Sequence, residues 1–507
     1  MRRFLILPLF CFCLLASNIS AHANEADITT LKKIFQDMLD YQTSVMGMYG
    51  DFMTIKYDGD LVVTPEDNYY KVTFPNISLN IKDTEDGAEE TFFNLGVVTI
   101  NAVRGDEAGT WKTMISYPKS FTFNSPNDDE TIQITIGDQN TAGILEERLG
   151  YFTKLDMKTS DIKIAIDGKL DEGLTISNID LFQNLSSQDG AYYSGLTNMT
   201  LKNLAVNIAE EGNFSLGELT GSFNLKDIKL PTLNEYKEKI TSVQGTMSSM
   251  IDPENAENIS EQEIMKMMGS LYDFDLDGFS IEYGIKNLIA NEEDHNFALD
   301  SGKFGLSLTG LKAENGSAGV VIGFDGLKSS DEKPEYKDIT PRQANINLSA
   351  SNIPISQLSE LVTTTMESIS ANPEMAQMAG IGIMMKVPML LSNAGTKIEI
   401  KDTYAKGNAF STDIKGEAKA DIKAMTSVTA DLKSIVVGLD TVLEIANQYK
   451  ESDFFFANLA NKVDKLKTIG APATSADGQP AHEFHFQIKP EGQTLINGKD
   501  AQTLMMP

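Results

Sequence analysis

The chain has 507 residues, with 42 lysines and arginines against 72 acidic residues, a net charge of −30. That field repels nucleic-acid phosphates and anionic lipid surfaces, and arginine, the fork that recognises phosphate, is scarce, so nucleic acid is excluded as a partner. Both cysteines, Cys11 and Cys13, lie near the N-terminus, so the rest of the chain has no disulfide, thiolate metal ligand or thiol nucleophile.

The first predicted element is an export signal. Arg2 and Arg3 precede an apolar run from Phe4 to Leu15, and Ala21-His22-Ala23 places small residues around a cleavage point. This order predicts a secretory signal peptide over 1–23 and a mature chain starting at Asn24. The apolar run is too short for a comfortable membrane span. Bulky Phe10 and Phe12 precede the cysteines, which opposes a lipid-modified cysteine there. The expected location is the periplasm, with outer-membrane association or secretion as alternatives.

Residues 24–232 read as a helix followed by antiparallel strands. Leu31, Ile34, Phe35, Met38, Leu39 and Val45 recur on one helical face. Asp27 is the expected cap, and Gly47 and Gly50 end the pattern. From Phe52 the period becomes two, as in Tyr70-Lys71-Val72-Thr73-Phe74 and Ile132-Gln133-Ile134-Thr135-Ile136. A short helix is expected around Ala142 to Phe152, between strands.

One local pattern recurs: Asn or Asp, a long apolar residue, a polar or small residue, and another apolar one. It occurs at Asn76, Asn178, Asn198, Asn203 and Asp227. Each copy reads as a turn or bulge residue feeding a half-buried strand. The irregular spacing excludes a solenoid or propeller.

A helical insert and a second strand block occupy 233–327. Leu233 to Ser270 reads as helix, with Ser260 and Glu263 forming a capping box. Lys328 to Pro341 is charged, holds two prolines and reads as a linker. The last region, 342–507, is α+β. It opens with a strand at Ala344–Ala350 and a helix at Ile355–Ile369.

The most apolar stretch follows, Met375 to Leu391. Met378, Ile381, Met384, Met385, Met389 and Leu390 are its candidate ligand-lining residues. Gly380, Gly382 and Pro388 weaken a helix here, so the stretch reads as a hairpin that is either buried or in contact with lipid. Strands are expected at Thr396–Ile400, Ala409–Ile414 and Ala418–Ile422, and helices at Ile435–Tyr449 and from Phe454 to just before Gly470. A loop over Gly470–Pro480 leads to the last strands and a tight turn at Asn497-Gly498.

The chain carries no phosphate-binding glycine loop with lysine, no Gly-x-Ser-x-Gly elbow and no His-Glu-x-x-His helix. His482 and His485 fall on opposite faces of a strand, which opposes a shared metal. Asp273 to Gly278 lacks the closing glutamate of a calcium loop. Trp111, Tyr117, Tyr69 and Tyr70 read as core rather than as a sugar platform. No cofactor or metal is expected.

With its strand-rich body of Asn/Asp-flanked segments and the closing run Gly492-Gln493-Thr494-Leu495-Ile496-Asn497-Gly498-Lys499, the chain resembles the YdgA-like group of bacterial envelope proteins. Some members of that group retain an N-terminal anchor where this chain carries a cleavable signal. The resemblance brings no catalytic residue. The expected fold is α+β, mainly antiparallel β, with long strand meanders and amphipathic helices packed on or beside curved sheets. The expected function is a non-enzymatic envelope role, binding lipid or supporting envelope proteins, with no transmembrane span in the mature chain. A glycan hydrolase acting through paired carboxylates and a surface adhesin or structural module are the alternatives.

Overall fold

The computed structural model describes residues 24–46, 53–82, 89–124, 131–166, 169–208, 212–241, 275–292, 295–371 and 376–505. The expected signal, the glycines at 47 and 50, and the capping box at Ser260 lie outside them. The chain forms two compact units, Met1–Asp275 and Leu276–Pro507. Both are α+β and mainly antiparallel.

The first unit opens with helix α1 (Glu25–Met46). The strands that follow are β1 (Met53–Asp58), β2 (Val62–Pro65), β3 (Tyr70–Lys82), β4 (Glu89–Arg104), β5 (Thr110–Ser116) and β6 (Ser120–Asn124). Longer strands then run as β7 (Thr131–Glu146), β8 (Tyr151–Ile166), β9 (Lys169–Ser187), β10 (Tyr192–Ile208) and β11 (Gly212–Lys229), before a helix α2 over 233–241. From β7 to β11 each strand pairs antiparallel with the next.

Helix α1 buries Leu31, Ile34, Phe35 and Leu39 against Tyr70, Val72, Ile100, Trp111, Leu145 and Met157. Each fully buried side chain of this kind contributes about 1.5–3 kcal/mol. Asp27 is not the cap. It sits inside the first turn, buried, where it accepts from the Tyr70 hydroxyl at 3.0 Å and pairs with Arg104. Asn24 has the capping role, its Oδ1 accepting from the Ala26 amide at 3.0 Å. A side chain that can cap can also accept from a neighbouring hydroxyl and pair with a half-exposed guanidinium, and here those partners hold it.

The expected helix at Ala142 to Phe152 is strand and turn instead. Thr110–Met114 and Tyr151–Asp156 pair on either side of Ala142–Glu146, and two ladders outweigh local helical preference.

The second unit comprises β12 (Gly278–Glu292), β13 (His295–Thr309), β14 (Gly316–Asp325), β15 (Lys328–Ser329) and β16 (Gln343–Ile353), followed by helices α3 (Ile355–Ala371) and α4 (Ala376–Ala394). Next come β17 (Lys397–Lys406), β18 (Ser411–Ala420), β19 (Val428–Val437), α5 (Leu439–Tyr449) and α6 (Phe454–Ile469). The unit closes with β20 (Ala471–Thr474), β21 (Pro480–Ile488), β22 (Thr494–Ile496), β23 (Lys499–Asp500) and α7 (Ala501–Met505). The order of antiparallel neighbours is β12, β13, β14, β16, β17, β18, β19, β21, β22, β23.

Several expectations change here. Residues 435–437 end a strand, and the helix begins only after Gly438, whose φ of 84° suits glycine. The two strands expected around Gly416 are one, because a Cβ at 416 would meet the Asp431 carbonyl oxygen at 2.2 Å and glycine lets the ladder continue. Residues 471–474 pair with β21 as a hairpin rather than looping. The expected break at Gly380, Gly382 and Pro388 is absent, since 376–394 is one helix with Pro388 inside it. The tight turn holds as expected, with φ of 50° at Asn497 and 76° at Gly498 between β22 and β23. In the expected linker, Tyr336 packs on Phe456 with ring centroids 5.0 Å apart, and Ile339 joins the core under α5.

Candidate functional site

In an antiparallel ladder alternate residues share a face, so the strand registers define rows across the second unit. One row is Tyr283, Phe304, Ile322 and Ile346. The next is Ile281, Leu306, Val320, Leu348, Ile400, Gly416, Leu432 and Phe486. A third holds Phe279, Leu308, Ala318, Ala350, Ile398, Ala418, Ala430 and Ile488. Neighbouring strands lie about 4.8 Å apart, so rows reaching from β12 to β21 run for about 34 Å.

A face this apolar is ordinarily buried under a second layer. Here Tyr283 is 50% exposed, Ile322 48%, Ile398 48%, Ile346 45% and Phe304 41%. At the other end of the rows α5 and α6 do provide cover, with Leu439, Val442 and Val463 packed against Val436 and Phe484. The first unit repeats the arrangement. Its apolar face is capped by α1 as far as Met157, and Ile179 and Leu181 pack at the core margin. On the same face Met199 and Phe223 are 38% and 37% exposed.

The opposite face of the second sheet is charged. Lys397 Nζ lies 2.6 Å from Glu399 and 2.5 Å from Glu417, Lys401 lies 2.5 Å from Glu399, and Lys419 lies 2.7 Å from Glu417. Asp431 meets His485 Nε2 at 2.7 Å and accepts from Gln487 Nε2 at 2.9 Å. The lysines relieve the repulsion of acids placed directly opposite one another across the ladder. A shallow depression of about 430 Å³ lies among Glu399, Lys401, Glu417 and Asp431.

Chemically this face is neutralised rather than poised. Hydrogen bonds from Lys397 and Lys401 push the Glu399 carboxyl down to about 2, and Lys397 and Lys419 lower Glu417 likewise. A glycosidase needs one carboxyl raised so that it can donate a proton. This pair holds none. Among the described residues no cluster of three or more His, Cys, Asp or Glu could hold a metal. Asp277 is buried and accepts from the Lys312 amide at 3.2 Å, while 273 and 274 lie outside the described residues. Trp111 and Tyr70 belong to the core, with ring centroids 5.9 Å apart and edge to face.

The candidates named from sequence lie on α4. Met384, Met385, Met378, Ile381 and Met389 are 77%, 73%, 64%, 55% and 45% exposed, while Leu390 is half-buried. Five of the six thus share the exposed surface of one helix. The helix is held at its C-terminal end, where Ser392 Oγ accepts from the Ile422 amide at 2.8 Å and Thr396 Oγ1 donates to the Asn352 carbonyl at 2.7 Å. The residues missed from sequence are those of the rows, Phe304, Ile322, Ile346 and Ile398 above all. Their alternation was visible, but alternation cannot say whether a second layer covers the apolar side.

In comparison with known proteins, no family model and no curated sequence matches the chain.

Proposed function

We propose that the chain is an exported, non-enzymatic envelope protein that shelters lipid acyl chains on the apolar face of its second unit. The observation that supports this reading is a set of three aligned apolar rows, exposed at Tyr283, Phe304, Leu306, Ile322, Ile346 and Ile398 and half-buried elsewhere, on a sheet whose other face carries the charged cluster of β17 to β21. Soluble proteins rarely expose contiguous apolar surface beyond a few hundred Å², and larger patches mark contact sites. An acyl chain spans half of the roughly 30 Å hydrocarbon core of a bilayer, about 15 Å, and so fits along rows of about 34 Å. Covering 200 Å² of apolar surface would contribute about 5 kcal/mol. The strongly acidic chain favours zwitterionic over anionic headgroups. Periplasmic location, export by the 1–23 signal, helices lying on curved sheets and kinship with the YdgA-like group belong to the same proposal.

Lipid extraction and native mass spectrometry of the purified chain test it. The wild-type chain is expected to carry lipid. The Phe304→Asp/Ile322→Asp double variant is expected to lose it and keep its melting temperature within a few degrees, because both positions are already solvent-exposed. A wild-type chain free of lipid that also fails to take up a fluorescent fatty acid would refute the reading.

A further inference from the structure

Helix α4 is apolar on its exposed side as well as on its inner one. A surface helix turns mostly polar residues outward, yet five of the outward residues of α4 are large and apolar, Met378, Ile381, Met384, Met385 and Met389, beside Gly380, Lys386 and Asn393. Lys386 is its one charged residue. We propose that the outer surface of α4 docks on the interface of a zwitterionic lipid bilayer, a contact separate from acyl binding on the sheet, so that either can fail alone.

Two observations select this occupant. The first is charge. A second copy of the chain would bring a further −30 to the contact, whereas a zwitterionic headgroup layer adds no net charge and an anionic one would repel the protein. Near-neutral α4 is the part of the second unit that complements such a surface. The second is dimension. No helix among the described residues is long and apolar enough to cross a membrane. The 19-residue α4 measures about 28 Å, and Gly380, Gly382 and Pro388 lie inside it. In this proposal α4 lies along the interface with its exposed methionines in the acyl boundary, where the flexible, polarizable thioethers adapt to irregular packing. Lys386, also exposed, is long enough to reach back to the headgroups.

Flotation with extruded phosphatidylcholine vesicles tests the proposal, on chains whose N-termini are shown by intact mass to be identical. The wild-type chain is expected to float, and Met384→Asp/Met385→Asp to partition at least 10-fold less with an unchanged melting temperature. Phe304→Asp/Ile322→Asp is expected to float like wild type, which separates this contact from the sheet. A Met384→Trp variant provides a second readout against buried Trp111. Its added emission is expected to shift to the blue with vesicles and to be quenched by brominated lipid. The proposal is overturned if the wild-type chain stays with the buffer, if the double aspartate variant floats equally, or if Met384→Trp emission ignores the lipid. It is equally overturned if sedimentation shows a dimer that the aspartates dissolve.

Discussion

Asn203, Asp227, Asn287 and Asp402 each adopt a positive φ, between 45° and 53°, inside or at the end of a strand, and each follows a lysine. Left-handed backbone costs an ordinary L-residue about 1–2 kcal/mol, and Asn and Asp tolerate it best. Asn287→Val is therefore expected to lower stability by about 1–2 kcal/mol while Asn287→Gly stays close to wild type, as read from urea denaturation. Equal losses for both would show that the side chain, not the backbone, matters. The sequence pattern of Asn or Asp before an apolar residue captured Asn203 and Asp227. It also flagged Asn178 and Asn198, which pair regularly in β9 and β10. The pattern marks residues that permit the conformation, and the ladder decides which of them adopt it.

His295 offers a titration at the same scale. Its Nδ1 lies 2.6 Å from Asp331 Oδ1, and that hydrogen bond raises the imidazole above its ordinary 6.5. A folded value above the unfolded one means that the pair adds stability below pH 6.5, and that this is lost as pH rises through the folded value. Both groups are exposed, so the contribution is small and screened by salt. NMR titration is expected to show His295 above 6.5 and to lower it in Asp331→Asn. An unchanged midpoint would remove the pairing.

Among the elements, α1 and α4 make the sharpest contrast. The apolar stripe of α1 is legible as a helix in the sequence, whereas the α4 stretch reads as a broken hairpin and is one continuous helix. Phe35 of α1 is fully buried and meets Phe74 edge to face at 5.5 Å. Met384 of α4 stands in solvent. Phe35→Ala is expected to cost about 3–5 kcal/mol and Met384→Ala less than about 0.5 kcal/mol in thermal or urea unfolding. A large loss at Met384 would mean that α4 is covered in solution. Element boundaries were readable where glycine or Asn-Gly set the backbone, as at 497–498. They were lost where strand pairing overrode local preference, as at 142–146 and 435–437.

At the scale of the molecule, each unit covers part of its apolar sheet face with helix and leaves part exposed. In the first, α1 closes the core, and Met199 and Phe223 lie further along the same face. In the second, α5 and α6 cover Val436 and Phe484, while Phe304, Ile322 and Ile346 stand exposed. The net charge of −30 opposes self-association through such a surface. Composition and alternation made the antiparallel meander legible. They could not show which stretches of the apolar face lack a second layer, because burial depends on partners distant in the chain. The most direct test of acyl sheltering is photolabelling with a diazirine-bearing phospholipid, followed by peptide mapping. Labels are expected on the peptides carrying Phe304, Ile322, Ile346 and Ile398, and to disappear when unlabelled lipid competes. Labels confined to the charged face around Glu399, Glu417 and Asp431, or no competed label at all, would contradict the account.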